Sequence, residues 1–189
     1  MFKIINLKLF MALLTFISFA TWFSPVSTHA ATPGPSIILV LDGIKGESRD
    51  QRVKDGIDVY SFSFGATNPV ISGPLNNGRQ GKPTFSDFSF MKSFDTASLP
   101  LLKNLATAHS IASGTLYFFN NSNTPYLTIK LKNIMVTSVQ YSGAETEKIT
   151  ESLSLNAADI QFEYIALRED GRPGSKQTLD IDVNKGTAN

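Results

Sequence analysis

Three observations predict a mainly β fold, a sandwich or barrel with one helix. From Ser36 onward, apolar residues recur with period two far more often than with period 3.6. Turn residues cut the chain into short segments, and only one stretch carries helical spacing.

"SIILVLDGI" forms the first strand, apolar on both faces and therefore central in its sheet. "GIDVYSFSFG" forms the second, with Tyr60, Phe62 and Phe64 on one face and Val59, Ser61 and Ser63 on the other. Between them "KGESRDQRVKDG" is a charged loop. After Gly65, "ATNPVISGPLNNGRQGKP" is rich in Gly, Pro and Asn and reads as a long loop, of a length that usually serves a function. In "GKPTFSDFSFMKSF", Phe88 and Phe90 share one strand face, while Asp87, Ser89 and Met91 share the other. Burial at period two accounts for Phe62, Phe64, Phe88 and Phe90, because aromatic rings pack well on a pleated surface.

The helix follows. Ser98 suits its N-cap, Pro100 its first turn, and Leu101, Leu102, Leu105 and Ala108 form its apolar stripe, with an end expected between His109 and Gly114. "GTLYFFN" is a strand and "NNSNTP" a turn. In "YLTIKLKNIMVTSVQY" the apolar parity moves from Leu127, Ile129 and Leu131 to Ile134, Val136 and Ser138, which predicts a β-bulge near Lys132 and Asn133. "EKITESLSLN" places Ile149, Glu151, Leu153 and Leu155 together, and "DIQFEYIAL" does the same for Ile160, Phe162, Tyr164 and Ala166. "REDGRPGS" is a turn and "TLDIDV" the last strand. The sum is seven or eight strands and one helix.

The first thirty residues read as a secretory signal peptide: Lys3 and Lys8 lead, Leu9 to Phe23 is mostly apolar, and cleavage is expected between Ala30 and Ala31. Thr15, Ser18, Thr21 and Pro25 interrupt this segment, which argues against a lasting membrane anchor. Residues 31–189 are then a single domain, exported to the periplasm or beyond. The leader takes two of the seventeen Lys and Arg and none of the sixteen acids, so the remainder carries fifteen against sixteen, a charge of −1. That balance is not the basic footprint of a nucleic-acid binder.

The 189-residue chain has no cysteine, which excludes disulfides, thiolate metal sites and thiol nucleophiles. His109 is the only histidine after the leader. A triad of His109, Asp95 and a serine is a weak reading, since no G-x-S-x-G surrounds any serine. "DIDVNKG", Asp180 to Gly186, lacks the glycine and glutamate positions of a calcium loop and fits a strand better. Glu145, Glu147 and Glu151 read as the exposed side of a turn and strand start. Asn120-Asn121-Ser122 is formally a glycosylation sequon lying in a turn, and Gly73 to Gly81 lacks phosphate-loop spacing. No cofactor or metal is expected, and enzyme function is disfavoured.

In order along the chain, "LDGIKGESRD", "IDVYSFSFG", a Gly-rich loop, "GKPTFSDFSFMKSFDTASLPLL", "YLTIKLKNIMVTSVQYSG" and "EKITESLSLNAADIQFEY" resemble the haemolysin-coregulated protein (Hcp) family, from about Ile37 to Tyr164. The resemblance implies a small two-sheet β-barrel with one flanking helix, forming hexameric rings that stack into the tube of the bacterial type VI secretion system. Such a tube is a non-enzymatic conduit and carrier whose partners are further copies of itself, effector proteins and other secretion components. By the same resemblance, the extension Ala66 to Lys82 docks ring on ring, with Asn68, Val70, Ile71, Leu75 and Arg79 as candidate contacts. Glu47, Ser48, Arg49 and Asp50 are candidates for contacts within the ring. Two features depart from the family pattern: the leader, and the absence of Gly-Trp before the last strand, where Thr178 and Leu179 stand instead. The leader frames the alternative, an exported Hcp-like binding or carrier protein working independently of a secretion machine.

Overall fold

A computed structural model describes residues 36–69, 81–168 and 172–189. The leader, its cleavage site at Ala30 and Ala31, and Val70, Ile71, Leu75 and Arg79 lie outside the described residues. The strands are β1 (Ser36–Leu41), β2 (Ile57–Val59), β3 (Ser61–Ser63), β4 (Ala66–Thr67), β5 (Thr84–Phe85), β6 (Phe88–Ser93), β7 (Ile111–Phe119), β8 (Leu127–Ser142), β9 (Thr150–Leu167), β10 (Pro173–Asp182) and β11 (Thr187–Ala188). Helix α1 (Ser98–Thr107) lies between β6 and β7.

The pairing runs β11-β10-β9-β8-β7-β1-β2, and β6 joins it by pairing with both β9 and β3. Strand β1 has a neighbour on each side and buries Ile38, Leu39 and Leu41, as its two apolar faces require. The long ribbon β8–β9 belongs to two layers. Thr150 to Leu155 of β9 pairs with β6, whereas Asp159 to Leu167 pairs with β10. The core fills the space between, with Leu39, Ile57, Phe90, Leu116, Ile134 and Leu153 among its buried members.

The expected second strand is in fact two. β2 pairs with β1 and β3 with β6, and the chain turns from one layer to the other at Tyr60, whose N–H donates to the Met91 carbonyl at 2.7 Å. Val59 is buried, Tyr60 and Ser61 are both exposed, and Phe62 faces inward again. Two successive outward residues reverse the parity, which lets one segment serve both layers. The aromatic row then closes the core: Phe88 and Phe90 are buried, Phe64 stacks on Phe88 with ring centroids 4.2 Å apart, and Phe62 meets Phe118 edge-on at 5.3 Å.

Strand β8 corrects the position of the bulge. Lys132 and Asn133 are both exposed between buried Leu131 and Ile134, and Asn133 has φ 52°, so the parity does change there. Strand β9 turns with it, however: Ala158 and Asp159 lie between buried Ala157 and Ile160, and the register runs on unslipped from Lys132↔Asp159 to Ile134↔Ala157. The one-residue slip falls between Val136 and Ser138, leaving Thr137 as the extra residue. The segments expected as two strands, "EKITESLSLN" and "DIQFEYIAL", are one eighteen-residue strand, because β8 pairs continuously across their junction.

Helix α1 also departs from expectation. The residue before it, Ala97, makes no capping bond, while Asp95 Oδ1 accepts the Ala97 N–H at 2.9 Å and the Ser98 hydroxyl turns back to the Asp95 N–H at 3.0 Å. The helix stops at Thr107, earlier than predicted, because Ala108 adopts φ 51° and sends its N–H to the carbonyls of Asn104 and Leu105. Leu101 is buried and Leu105 packs against the core, but Leu102 is exposed, so the buried stripe is narrower than the sequence implied.

Candidate assembly surface

The loop between β1 and β2 is anchored by a buried fork. Arg52 grips Asp50 through Nε to Oδ1 at 2.8 Å and Nη2 to Oδ2 at 2.5 Å. The guanidinium also donates to the Ser36 hydroxyl at 2.7 Å and to the Ser122 carbonyl at 2.9 Å, and lies 4.1 Å from the centroid of the Phe119 ring. This planar donor set on a carboxylate and a ring face is a job for arginine rather than lysine. The Arg52 hydrogen bond holds the Asp50 carboxyl well below the usual carboxylate range, against the opposing effect of burial.

With Asp50 turned inward, the preceding residues point elsewhere. Gly46 permits the fold of the loop, since a Cβ there would sit 2.2 Å from the Gly56 carbonyl oxygen. Ser48 N–H donates to that same oxygen at 2.9 Å. Glu47 Oε1 accepts the Thr96 N–H at 3.1 Å, tying the loop to the turn ahead of α1.

Between this loop and the ends of β6 and β9 lies a concavity of about 620 Å³, lined by Glu47, Arg49, Asp58, Tyr60, Phe94 and Ile149 among others. Ser48 also contributes to its wall. Tyr60 is 62% exposed, and Phe94 and Ile149, which share the lining with it, are exposed too. Backbone bonds join these segments: Tyr60 N–H to Met91 O, and Phe94 N–H to Ile149 O at 2.9 Å. The Phe94 and Tyr141 rings meet edge-on at 5.4 Å. Burial first, then the Glu151 charge, pushes the Tyr141 phenol above its ordinary value, so it stays a neutral donor to the Ser98 carbonyl at 3.3 Å.

Of the sequence-derived ring-contact candidates, the structure brings Glu47, Ser48 and Arg49 to this concavity and sets Asp50 behind it as an anchor. Asn68 is exposed at the base of the 66–82 extension. Glu151, expected on an exposed strand start, is instead fully buried against Lys92, a partner the sequence reading did not name. His109 is exposed beyond the C-terminal end of α1, and Asp95 lies ahead of its N-terminal end. A ten-residue helix is about 15 Å long, so the fold separates these two members of the weighed triad. "DIDVNKG" is the end of β10 and a hairpin turn into β11, as its strand alternation indicated.

On the outer face of β8–β9–β10, Lys130 and Lys176 flank Glu163 at 2.6 and 3.1 Å. Their hydrogen bonds, Lys130 foremost, lower the Glu163 carboxyl from its ordinary value.

These features define a class: a small two-layer β protein whose exposed aromatic side chains gather beside an anchored loop, as in proteins that meet other protein surfaces. Residues 39–164 match the family model described as type VI secretion system effector, Hcp, and the chain belongs to that family. It is 28% identical over 139 residues to Protein hcp1 of Pseudomonas aeruginosa, an alignment covering 71% of this chain and 86% of the relative. Its fold is that of a type six secretion system protein of known structure (TM-score 0.77, 22% identity, 82% of this chain and 99% of the other). The Hcp1 structure from Salmonella typhimurium shares it too (TM-score 0.68, 23% identity, 83% and 100%).

Proposed function

We propose that this chain is a non-enzymatic structural component of a type VI secretion tube, forming hexameric rings from residues 31–189 and carrying effector proteins. One observation carries the reading: in a chain of the Hcp family, exposed Tyr60, Phe94 and Ile149 line a concavity whose wall includes Glu47, Ser48 and Arg49. Apolar groups left in water are a standing free-energy cost that a neighbouring copy would remove. A heterologous contact that closes by rotation gives a ring without leaving unpaired patches in its plane. The extension at 66–82 adds contacts along the axis, and the leader at 1–30 directs export. No cofactor takes part.

Light scattering behind size-exclusion chromatography tests the ring: a mass about six times that of the mature chain is expected, with annular particles by negative stain. A monomer at high concentration overturns the proposal. Fractionating the host with and without the leader tests the export.

A further inference from the structure

The base of the 66–82 extension is a short two-stranded ribbon. Ala66 and Thr67 pair with Phe85 and Thr84, Ser86 N–H donates to Gly65 O at 2.8 Å, and Gly81 N–H donates to Pro69 O at 2.8 Å. A two-stranded ribbon is marginal in water on its own, so its direction must be fixed by what it rests on. Two unlike contacts do this. Phe85 stacks on Phe64 with centroids 6.3 Å apart, and Phe64 is itself packed on Phe88 and, at 6.0 Å, on Phe162. The second contact is the turn between β10 and β11. Lys82 Nζ donates to the Asn184 carbonyl at 3.1 Å, and a Cβ added to Gly186 would lie 3.3 Å from Lys82 Cε and 3.6 Å from Pro83 Cδ. That turn is itself tied. Gly186 has φ 67° and gives its N–H to Asp182 O at 2.8 Å, while Lys185 bonds the Asp182 carboxylate through its N–H at 2.9 Å and its Nζ at 2.8 Å.

We propose that the hairpin turn at Asn184 to Gly186 is a brace that sets the direction of the extension, with Lys82 and Gly186 as its positioning residues. The inference rests on the reading of the extension as the element that docks ring on ring, and adds what aims it. Phe64 and Phe85 fix where the ribbon leaves the barrel. The turn blocks it from swinging about that aromatic hinge, because Lys82 and Pro83 lie in van der Waals reach of Gly186, close enough that an added Cβ would crowd Lys82 Cε. A brace remote in sequence from the element it aims ties the last strands of the fold to stacking.

Amide hydrogen exchange on the purified full chain tests this directly. Lys82→Ala removes the donor to Asn184, and Gly186→Val places a strained side chain against Lys82. Each is expected to speed exchange at Gly81 and Ser86 about threefold to tenfold, the effect of losing one modest contact, and to leave Ile129 and Leu153 unchanged. Lys82→Met keeps the length of the side chain without the donor and is expected to lose protection as Lys82→Ala does, which a mere loss of side-chain bulk would not predict. Unaltered exchange at Gly81 and Ser86 in both variants overturns the brace. Deleting residues 66–82 is the separate control: rings that still stack without them refute the docking role of the extension, while the exchange result continues to judge the brace.

Discussion

The Lys92 ammonium lies 2.8 Å from Glu151 Oε2, and both side chains are sealed from solvent. They face each other in register across β6 and β9. The same ammonium donates to Ser93 O and Asp95 Oδ1, each at 2.8 Å, while the Ser98 hydroxyl also bonds the Glu151 carboxylate. Strand, turn and helix thus converge on one charge pair, two residues along the chain from Phe94 and Ile149. Desolvating two ions is costly, and many such pairs add little net stability over an apolar replacement. Their value here is positional: the pair dictates where α1 starts and so how the turn carrying Phe94 is presented.

Lys92→Met follows from that argument. It leaves the Glu151 carboxylate buried without its counter-charge, and is expected to cost about 3–5 kcal/mol in urea unfolding at pH 7. Glu151 Oε1 already has no hydrogen-bond partner among the described residues, so the site has little reserve to absorb the loss. Adding Glu151→Leu to the same chain removes the orphaned charge and should recover most of the stability. A single variant as stable as the parent would show that the pair does not organise this region.

The Asp50–Arg52 fork predicts an acid-sensitive contribution. The folded-state value of Asp50 lies below its ordinary 3.8, so its stabilisation is fully present above that value and is lost as pH falls through the folded one. Compared with Asp50→Asn, the parent should hold a constant stability advantage above about pH 5 that narrows steadily once the pH drops below the ordinary carboxylate range. Parallel urea titrations at several pH values measure it. An advantage that grows toward acid would contradict the assignment.

How much of this was legible beforehand depends on which physical signal each residue carried. Phe62, Phe64, Phe88 and Phe90 announced themselves, because alternation at period two is the direct imprint of a sheet with one buried face. Glu47, Ser48 and Arg49 were reachable only through family resemblance, since three polar loop residues carry no periodicity. Lys92 was within reach: it shares parity with Phe88 and Phe90, and a charge on a buried face demands a partner. That partner, Glu151, is separated from it by helix and two strands, and cross-strand register is not written locally in the chain. The turn at Tyr60 and the slip at Thr137 were hidden for a related reason, as each depends on which neighbours a strand must serve on either side.

Asn133 offers a test of the bend shared by β8 and β9. Its φ of 52° is comfortable for Asn or Gly and strained for residues with an ordinary Cβ. Asn133→Ala also removes the bond from Nδ2 to Asp159 Oδ2 at 3.2 Å, and should cost about 1–2 kcal/mol. Asn133→Gly should cost less than half of that, because it relieves the backbone while losing only the exposed hydrogen bond. Equal losses in thermal melts of the two variants would mean that the side-chain bond, and not the left-handed backbone, matters at this position.

The concavity makes the sharpest demand on the proposed ring. Ile149 is exposed, and its bond to Phe94, just past β6, is made by its backbone carbonyl, which Ile149→Glu leaves in place. The substitution should therefore change unfolding by no more than about 0.5 kcal/mol, as surface changes usually do. In an assembled ring the new carboxylate would have to shed its water against Tyr60 and Phe94 or hold the neighbour away. A penalty of about 2 kcal/mol per contact raises the concentration needed for association about thirtyfold. Light scattering over a dilution series reads that shift, and the melting curve of the same sample shows whether the fold has survived. A variant that assembles at the parent's concentration would move the ring contact away from this surface, leaving Tyr60, Phe94 and Ile149 to be explained by some other partner.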